Sequence, residues 1–400
     1  MEWKKVNICD MCDSISATYS RGADMVVLIN TSDVLDGKFL NRERVPNKDL
    51  KGQFKKTFQR DDILYSEIRP ANKRFAYVDF DAFDYIASTK LMVLRAKPNV
   101  NPRFLYHILK SESILEQLQV LAESRSGTFP QITYSEMANV SVLLPDRETQ
   151  RRIAAILSSL DDKTENNNRI NRNLEAQAQA LFKSWFVDFE PFGGKMPEDW
   201  KFDDISNIPH VLETGRRPKG GAVESGVPSI GAEHIKGMGT YDFSKTKYIT
   251  EDYARSMKSG KINGYELLIY KDGGKPGYFI PNFTIYGEGY PFEECYINEH
   301  VLKLDFPSKA YNIFCYFYFQ TPEVMNYLNA QGGKAAIPGI NKSDIDNINI
   351  LTPDNNTVVQ FGEIVLPYFT SILQNLAENK RLAALRDTLL PKLMKGEIEV

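Results

Sequence analysis

"TFPQITYSEMANVSVLLPD" (residues 128–146) can be laid over "AIPGINKSDIDNINILTPD" (residues 336–354) without a gap. The shift is 208 residues, position 128 onto position 336. Pro130 falls on Pro338, Ile132 on Ile340, Ser135 on Ser343, Asn139 on Asn347, and Pro145-Asp146 on Pro353-Asp354. The same shift sets Leu174 on Leu382, Leu181 on Leu389 and Phe182 on Leu390. Upstream the match loosens. "STKLMVL" (88–94) resembles "NEHVLKL" (298–304), and Trp3-Lys4 corresponds to Trp200-Lys201. The chain is a tandem duplication of about 200 residues whose copies end alike and begin differently. Two copies are too few for a solenoid. They suit one task carried out twice, on two unlike objects.

Each copy has a front and a back. In the fronts, "DDILYSEI" (61–68), "LMVLRA" (91–96), "YELLIY" (265–270) and "VLKLDF" (301–306) are short apolar or alternating runs, which predict strands. Residues 101–123 predict one helix, and residues 310–331 predict two helices meeting near Pro322. These fronts are mixed α/β (α+β) domains. The back of each copy is a long helix. Residues 147–189 contain neither Pro nor Gly. Ile153, Leu157, Leu160, Ile170, Leu174 and Leu181 recur at steps that build a coiled-coil seam. Ile364, Leu373, Leu376, Leu382, Leu385 and Leu389 predict the matching seam in copy two, where Pro367 should bend the helix and Pro391 lies near its end. The stretch 161–169 is polar and predicts a register or polar contact inside the seam. About 40 residues at 1.5 Å each give a rod of roughly 60 Å. Each helix alone would leave an apolar stripe in water, so the expectation is an antiparallel coiled coil with a pseudo-twofold internal repeat. The expected boundaries are a first domain at 1–146, a helical spacer at 147–190, a linker at 191–200, a second domain at 201–352 and a second helix at 353–400.

A composition 42% hydrophobic and 25% charged is that of a soluble globular protein, and no apolar run reaches membrane length, so a cytoplasmic location is expected. The net charge of −3 gives no global basic signature, although a basic face can be balanced elsewhere. Cys9-Asp10-Met11-Cys12 has the CxxC spacing but no second pair, and buried thiols are the favoured reading over a metal site. No phosphate-binding GxxxxGK[ST] loop occurs. Asp49-Leu50-Lys51 and Asp161-Asp162-Lys163 have a D-x-K spacing that is frequent by chance. No catalytic residue and no metal ligand is therefore expected in this chain. Two similar domains on a rigid spacer suggest recognition of a two-part linear target, and DNA half-sites lie about 34–36 Å apart per helical turn.

The strings "PDRETQRRIAAIL" (145–157), "LFKSWFVDF" (181–189) and "RDTLLPKLMKGEI" (386–398) resemble the specificity subunits of type I restriction-modification systems. That resemblance implies a noncatalytic DNA reader with two target-recognition domains, each specifying half of a split double-stranded site. It implies two methylation subunits docked on the helices, forming an S-adenosylmethionine-dependent adenine-N6 methyltransferase. With two further restriction (motor-nuclease) subunits, the assembly would be an ATP- and Mg-dependent endonuclease. The alternative is a stand-alone two-headed scaffold without DNA specificity, which the negative net charge allows.

DNA contacts are expected in loops that combine cations with glycines. "ETGRRPKGGA" (213–222) offers Arg216, Arg217 and Lys219, and "YKDGGKPGYF" (270–279) offers Lys271 and Lys275. The comparable cations of copy one are Lys51, Lys55, Lys56, Arg69, Lys73, Arg74 and Arg125, with Tyr19, Arg21, His234 and Lys236 as further candidates. An ordinary solvated surface competes with this reading at every one of these positions. Arg151, Arg152, Lys183 and Lys380 are candidate partner contacts on the helices, with helix solvation as the competitor. Trp185, Phe186 and Phe189 are read as a buried junction rather than an exposed dock.

Overall fold

The two apolar runs of copy one, Asp62–Ser66 and Leu91–Ala96, are neighbouring antiparallel strands. The structure is a computed structural model that describes residues 3–125, 130–273, 277–334 and 337–400, with Arg125 described for its backbone alone. The chain divides into two units, Met1–Lys163 with Leu382–Val400, and Thr164–Arg381. This division cuts both long helices rather than following the boundaries expected along the sequence.

In the first unit a four-stranded antiparallel sheet has the order β2 (Cys12–Ile15), β11 (Leu91–Ala96), β8 (Asp62–Ser66), β9 (Phe75–Tyr77). Met92, Leu94, Ile63 and Tyr65 belong to one core with α2 (Pro102–Leu109) and α3 (Glu112–Arg125). Leu91, Val93 and Leu64 belong to the core on the other face. Cover on both faces is why these strands read as continuous apolar runs. The other face meets a second sheet, ordered β6 (Arg44–Pro46), β3 (Met25–Ile29), β10 (Tyr85–Ser88), β7 (Phe54–Lys56), in which β3 and β10 are parallel. The single helix expected at 101–123 is two. Asn101 caps α2 by accepting from the Phe104 N–H at 3.0 Å, and Ser111 donates to the Ile108 carbonyl at 2.7 Å where the chain breaks before α3.

The second unit repeats this plan. Its antiparallel sheet has the order β14 (Val211–Thr214), β20 (Val301–Asp305), β17 (Leu267–Tyr270), β18 (Phe283–Ile285). The second sheet is β16 (Lys247–Ile249), β15 (Val227–Ile230), β19 (Tyr296–Ile297), with β15 and β19 parallel. Helices α7 (Lys309–Tyr318) and α8 (Pro322–Gly332) stand where α2 and α3 stand in the first unit. A two-stranded antiparallel ribbon closes each front: β1 (Lys4–Asn7) with β12 (Ser141–Leu144), and β13 (Lys201–Asp204) with β21 (Asn349–Thr352). The duplication therefore reaches the fronts in topology, where the sequence match had loosened.

The long helices are α5 (Arg147–Phe186) and α10 (Asn355–Met394), each of 40 residues. The repeated Pro-Asp dipeptide starts both by the same cap. Asp146 accepts from the N–H (3.0 Å) and hydroxyl (2.9 Å) of Thr149. Asp354 accepts from the N–H (3.0 Å) and hydroxyl (2.6 Å) of Thr357. These bonds satisfy helix donors that have no partner of their own. Helix α5 ends at Phe186, earlier than the expected Phe189, which adopts a left-handed φ of 54°. Helix α10 runs through Pro367 and Pro391 without ending.

The helices run antiparallel within each unit. In the first, Ile153 and Leu157 share a core with Leu390 and Leu393, and Asp161 accepts from Arg386 at 3.3 Å. In the second, Ala178 and Phe182 share a core with Phe361, Val365, Phe369 and Ile372. The expected polar seam is there too. Asn167 donates to Glu378 (2.7 Å) and Asn379 (2.9 Å), Asn379 to Asn168 (3.0 Å), and Asn375 to Asn171 (2.8 Å). Several seam assignments need correction. Ile170 and Leu385 are exposed, because the polar layer interrupts the repeat that placed them, and Ile364 is exposed because Phe361, Val365 and Phe369 are the residues of that stretch that face the core. Leu373 and Leu376 turn instead to the β-rich front. A Cβ on Gly287 would lie 2.2 Å from Leu373 Cδ1, and one on Gly239 would lie 2.9 Å from Leu376 Cδ1. Leu160, Leu174, Leu181, Leu382 and Leu389 are half-buried.

Candidate nucleic-acid interface

In the second unit three loops meet at one end of the antiparallel sheet. They follow β14, follow β17 and precede β20. Thr214, at the end of β14, donates its hydroxyl to the carbonyls of Val301 (3.1 Å) and Glu299 (3.4 Å). Lys271, just past β17, donates Nζ to the Glu299 carbonyl at 3.0 Å, and its N–H to that of His300 at 3.0 Å. Gly215 is required here, since a Cβ would fall 1.7 Å from the Ile297 carbonyl oxygen. From this base the loop carries Arg216, Arg217 and Lys219 outward, all exposed. Arg217 Nε lies 3.7 Å from Glu299 Oε1, His300 Nε2 lies 3.4 Å from the same oxygen, and His300 Nδ1 bonds Asp272. Sequence reasoning did not assign Glu299, His300 or Asp272 to this loop cluster. Their only signal was adjacency to predicted strands.

Beneath the loops lies a buried charge cluster. Lys303, on β20, donates Nζ to the Lys261 carbonyl at 2.7 Å and lies 3.1 Å from Glu213 and 3.8 Å from Glu266. Glu266 accepts from the N–H groups of Asn263 and Gly264, both at 2.7 Å. Burial acts to raise the Glu213 carboxyl, but the Gly260 N–H and Lys303 outweigh it and hold it below its ordinary range. A paired and hydrogen-bonded set of this kind fixes the strand from which the basic loop departs.

Other candidates have different surroundings. His234 is buried and stacked on Tyr241 with ring centroids 4.1 Å apart, and burial lowers its proton affinity. It is corrected from a surface contact to a core residue. Lys236 beside it is exposed. All of Lys275 and the side chain of Arg125 lie outside the described residues.

In the first unit, four nominated groups hold the fold. Arg21 donates to the carbonyls of Ala82 (2.9 Å) and Phe58 (3.0 Å). Lys56 donates to the Leu91 carbonyl at 2.8 Å, and burial lowers its pKa. Arg74 donates to the carbonyls of Ser32 (3.0 Å) and Val34 (3.3 Å), and Lys73 pairs with Glu112. Tyr19 is half-buried beside Lys55, whose carbonyl accepts its N–H at 2.7 Å. Lys51, Lys55 and Arg69 are exposed. Arg69, Lys73 and Arg74 lie at the turn that contacts α3, whereas Lys51 and Lys55 lie at edge strand β7. The structure gathers a basic loop cluster in the second unit and two separate sets in the first.

The helix cations are engaged within the chain. Arg151 and Arg152 both bind Glu148 (2.6 and 3.0 Å), which they push down to about 2, and Arg152 also reaches the Val400 carbonyl. Lys183 pairs with Asp188, and Lys380 Nζ sits 3.9 Å from the centre of the Phe243 ring. Phe186 is buried against Trp200, Phe314 and Phe361, so the "LFKSWFVDF" aromatics are core of the second unit rather than an exposed dock. Cys12 is buried, which pushes its thiol up to about 12. Among the described residues no group of three or more His, Cys, Asp or Glu is placed to hold a metal ion, and no helix is long and apolar enough to cross a membrane.

Residues 1–176 match the family described as the type I restriction modification DNA specificity domain. The chain is 34% identical to the type I restriction enzyme HindI specificity subunit of Haemophilus influenzae, over 99% of this chain and 100% of the relative. It is 28% identical to the MjaIX specificity subunit of Methanocaldococcus jannaschii, over 76% of this chain and 71% of that protein. Among solved structures, the type I restriction-modification S subunit from M. genitalium superposes with a TM-score of 0.61, at 17% identity, over 98% of this chain and 96% of that one. That last likeness is one of fold.

Proposed function

The chain belongs to the specificity subunits of type I restriction enzymes, and on that footing we propose that its two units each read one half of a bipartite double-stranded DNA site. Its function is recognition of DNA sequence for a restriction-modification system. The observation that carries the two-part reading is the repeated strand order under unlike loops. One scaffold built twice, with different residues at its rims, fits two different half-sites. The exposed Arg216, Arg217 and Lys219 supply the kind of side chain that meets phosphates and base edges.

Catalysis is assigned to partners. Two methylation subunits would supply adenine-N6 methylation from S-adenosylmethionine, and motor-nuclease subunits, where a system has them, would supply ATP- and Mg-dependent cleavage. No cofactor is assigned to this chain. The relationship to specificity subunits favours this reading over a scaffold without DNA specificity.

The test is a gel-shift titration of the chain with its methylation subunit against duplexes cut from the genome of origin. Tight binding to a bipartite sequence, weakening steeply with salt, supports the reading. Equal affinity for every duplex in the presence of the partner overturns it.

A further inference from the structure

Arg217 differs in kind from the two cations beside it. Pro218 follows it and restricts its backbone to extended conformations, and Gly215 before it lies against the Ile297 carbonyl. Its Nε is 3.7 Å from Glu299 Oε1, and Glu299 is itself held, by His300 at 3.4 Å on the same oxygen and by Thr214 and Lys271 on its carbonyl. Arg216 and Lys219 make no ion pair or side-chain hydrogen bond among the described residues.

Two consequences follow from charge and shape. Arg217 is 73% exposed and its contact with Glu299 is an ion pair rather than a hydrogen bond, so the carboxylate draws the guanidinium by its Nε side and leaves the two terminal amino groups as a fork, the arrangement that meets guanine O6 and N7 in the major groove. A carboxylate at its side also offsets its charge, and the two pairs Arg217–Glu299 and Lys271–Asp272 together sum to zero, which leaves Arg216 and Lys219 as the unpaired positive charge of the loop among the described residues. The paired set draws phosphate weakly while losing none of its hydrogen-bonding geometry. We infer that Arg217 reads a guanine in the half-site of the second unit, with Glu299 as the positioning residue that aims it, and that Arg216 and Lys219 act on phosphates. This rests on the proposed DNA-reading function.

The experiment selects from a randomised duplex pool with the complex of full chain and methylation subunit. Wild type is compared with Arg217→Ala, Glu299→Gln and Arg216→Ala, and the salt dependence of binding to the wild-type consensus is measured for each. The inference expects Arg217→Ala to lose preference at one G·C position of one half-site, by roughly 5- to 150-fold, with the salt slope unchanged. Glu299→Gln weakens preference at that same position. Arg216→Ala keeps the consensus and lowers the salt slope by about one. The positions of the second unit's own half-site that keep their preference report that the mutated unit is folded, and the first unit's half-site reports that the complex is assembled. A consensus unaltered by Arg217→Ala, or one lost together with a unit of salt slope, overturns the inference. A wild-type complex that enriches no sequence overturns the DNA-reading function beneath it.

Discussion

Phe182 belongs to copy one of the sequence and to the second unit of the structure. Its ring is fully buried, and its centre lies 5.5–6.3 Å from those of Phe186, Phe314, Phe317, Tyr318 and Phe361. Removing a buried phenyl ring costs about 3–5 kcal/mol through lost transfer energy and the cavity left behind. Five aromatic neighbours place Phe182→Ala toward the upper end, since ring pairs add to area burial. Hydrogen exchange read peptide by peptide is the assay. Exchange in α7 and in residues 358–372 of α10 should quicken in proportion to that loss. Peptides from β8 and β11 of the first unit serve as the unaffected reference. Val187→Ala, at an exposed position five residues along, should change exchange by no more than about 0.5 kcal/mol. A loss below about 1 kcal/mol for Phe182→Ala, or an equal loss for Val187→Ala, would refute the claim that the tail of one copy completes the core of the other unit.

Asp146→Ala should lower thermal stability through loss of a helix cap, and Asp354→Ala should lower it in the same way by about 1 kcal/mol. The effect at Asp354 should be the larger, because its carboxylate also accepts from Trp200 Nε1 at 3.2 Å. His107 is held neutral by burial, with its pKa lowered to about 3 from 6.5. Its contribution to stability is therefore full above pH 6.5 and lost as pH falls, by about 2 kcal/mol at pH 5. Urea denaturation at pH 7.5 and pH 5 should show that difference in the wild type and a smaller one in His107→Gln. Exchange of residues 201–352 for the corresponding domain of another specificity subunit should change one half of the recognised sequence and leave the other half, as read by selection from a duplex pool.

The repeat and the long helices were legible because each has a local signature. A gapless shift ties the copy ends together, and the 3.6-residue period marks both helices. The Asp146 and Asp354 caps explain why the Pro-Asp dipeptide survives in both copies while neighbouring residues differ. The shared sheet order was less legible, since a strand needs only alternating apolar character and many sequences supply it. Seam assignments at Ile170 and Leu385 failed because an apolar period was extended across the asparagine layer, where amide hydrogen bonds replace leucine packing. The cations were least legible. Arg21, Lys56 and Arg74 bind carbonyls distant in sequence, and nothing at those positions in the sequence distinguishes them from exposed Arg216 and Lys219. Glu299 was invisible for the same reason, as its meaning comes from a loop some 80 residues earlier.

The most direct measurement is methylome sequencing of a strain with the gene intact and deleted, its methylation-subunit gene present in both. The account predicts adenine methylation at one asymmetric sequence, two specified blocks separated by unread bases, that disappears on deletion. An unchanged methylome, or loss of a single contiguous palindrome, would contradict it.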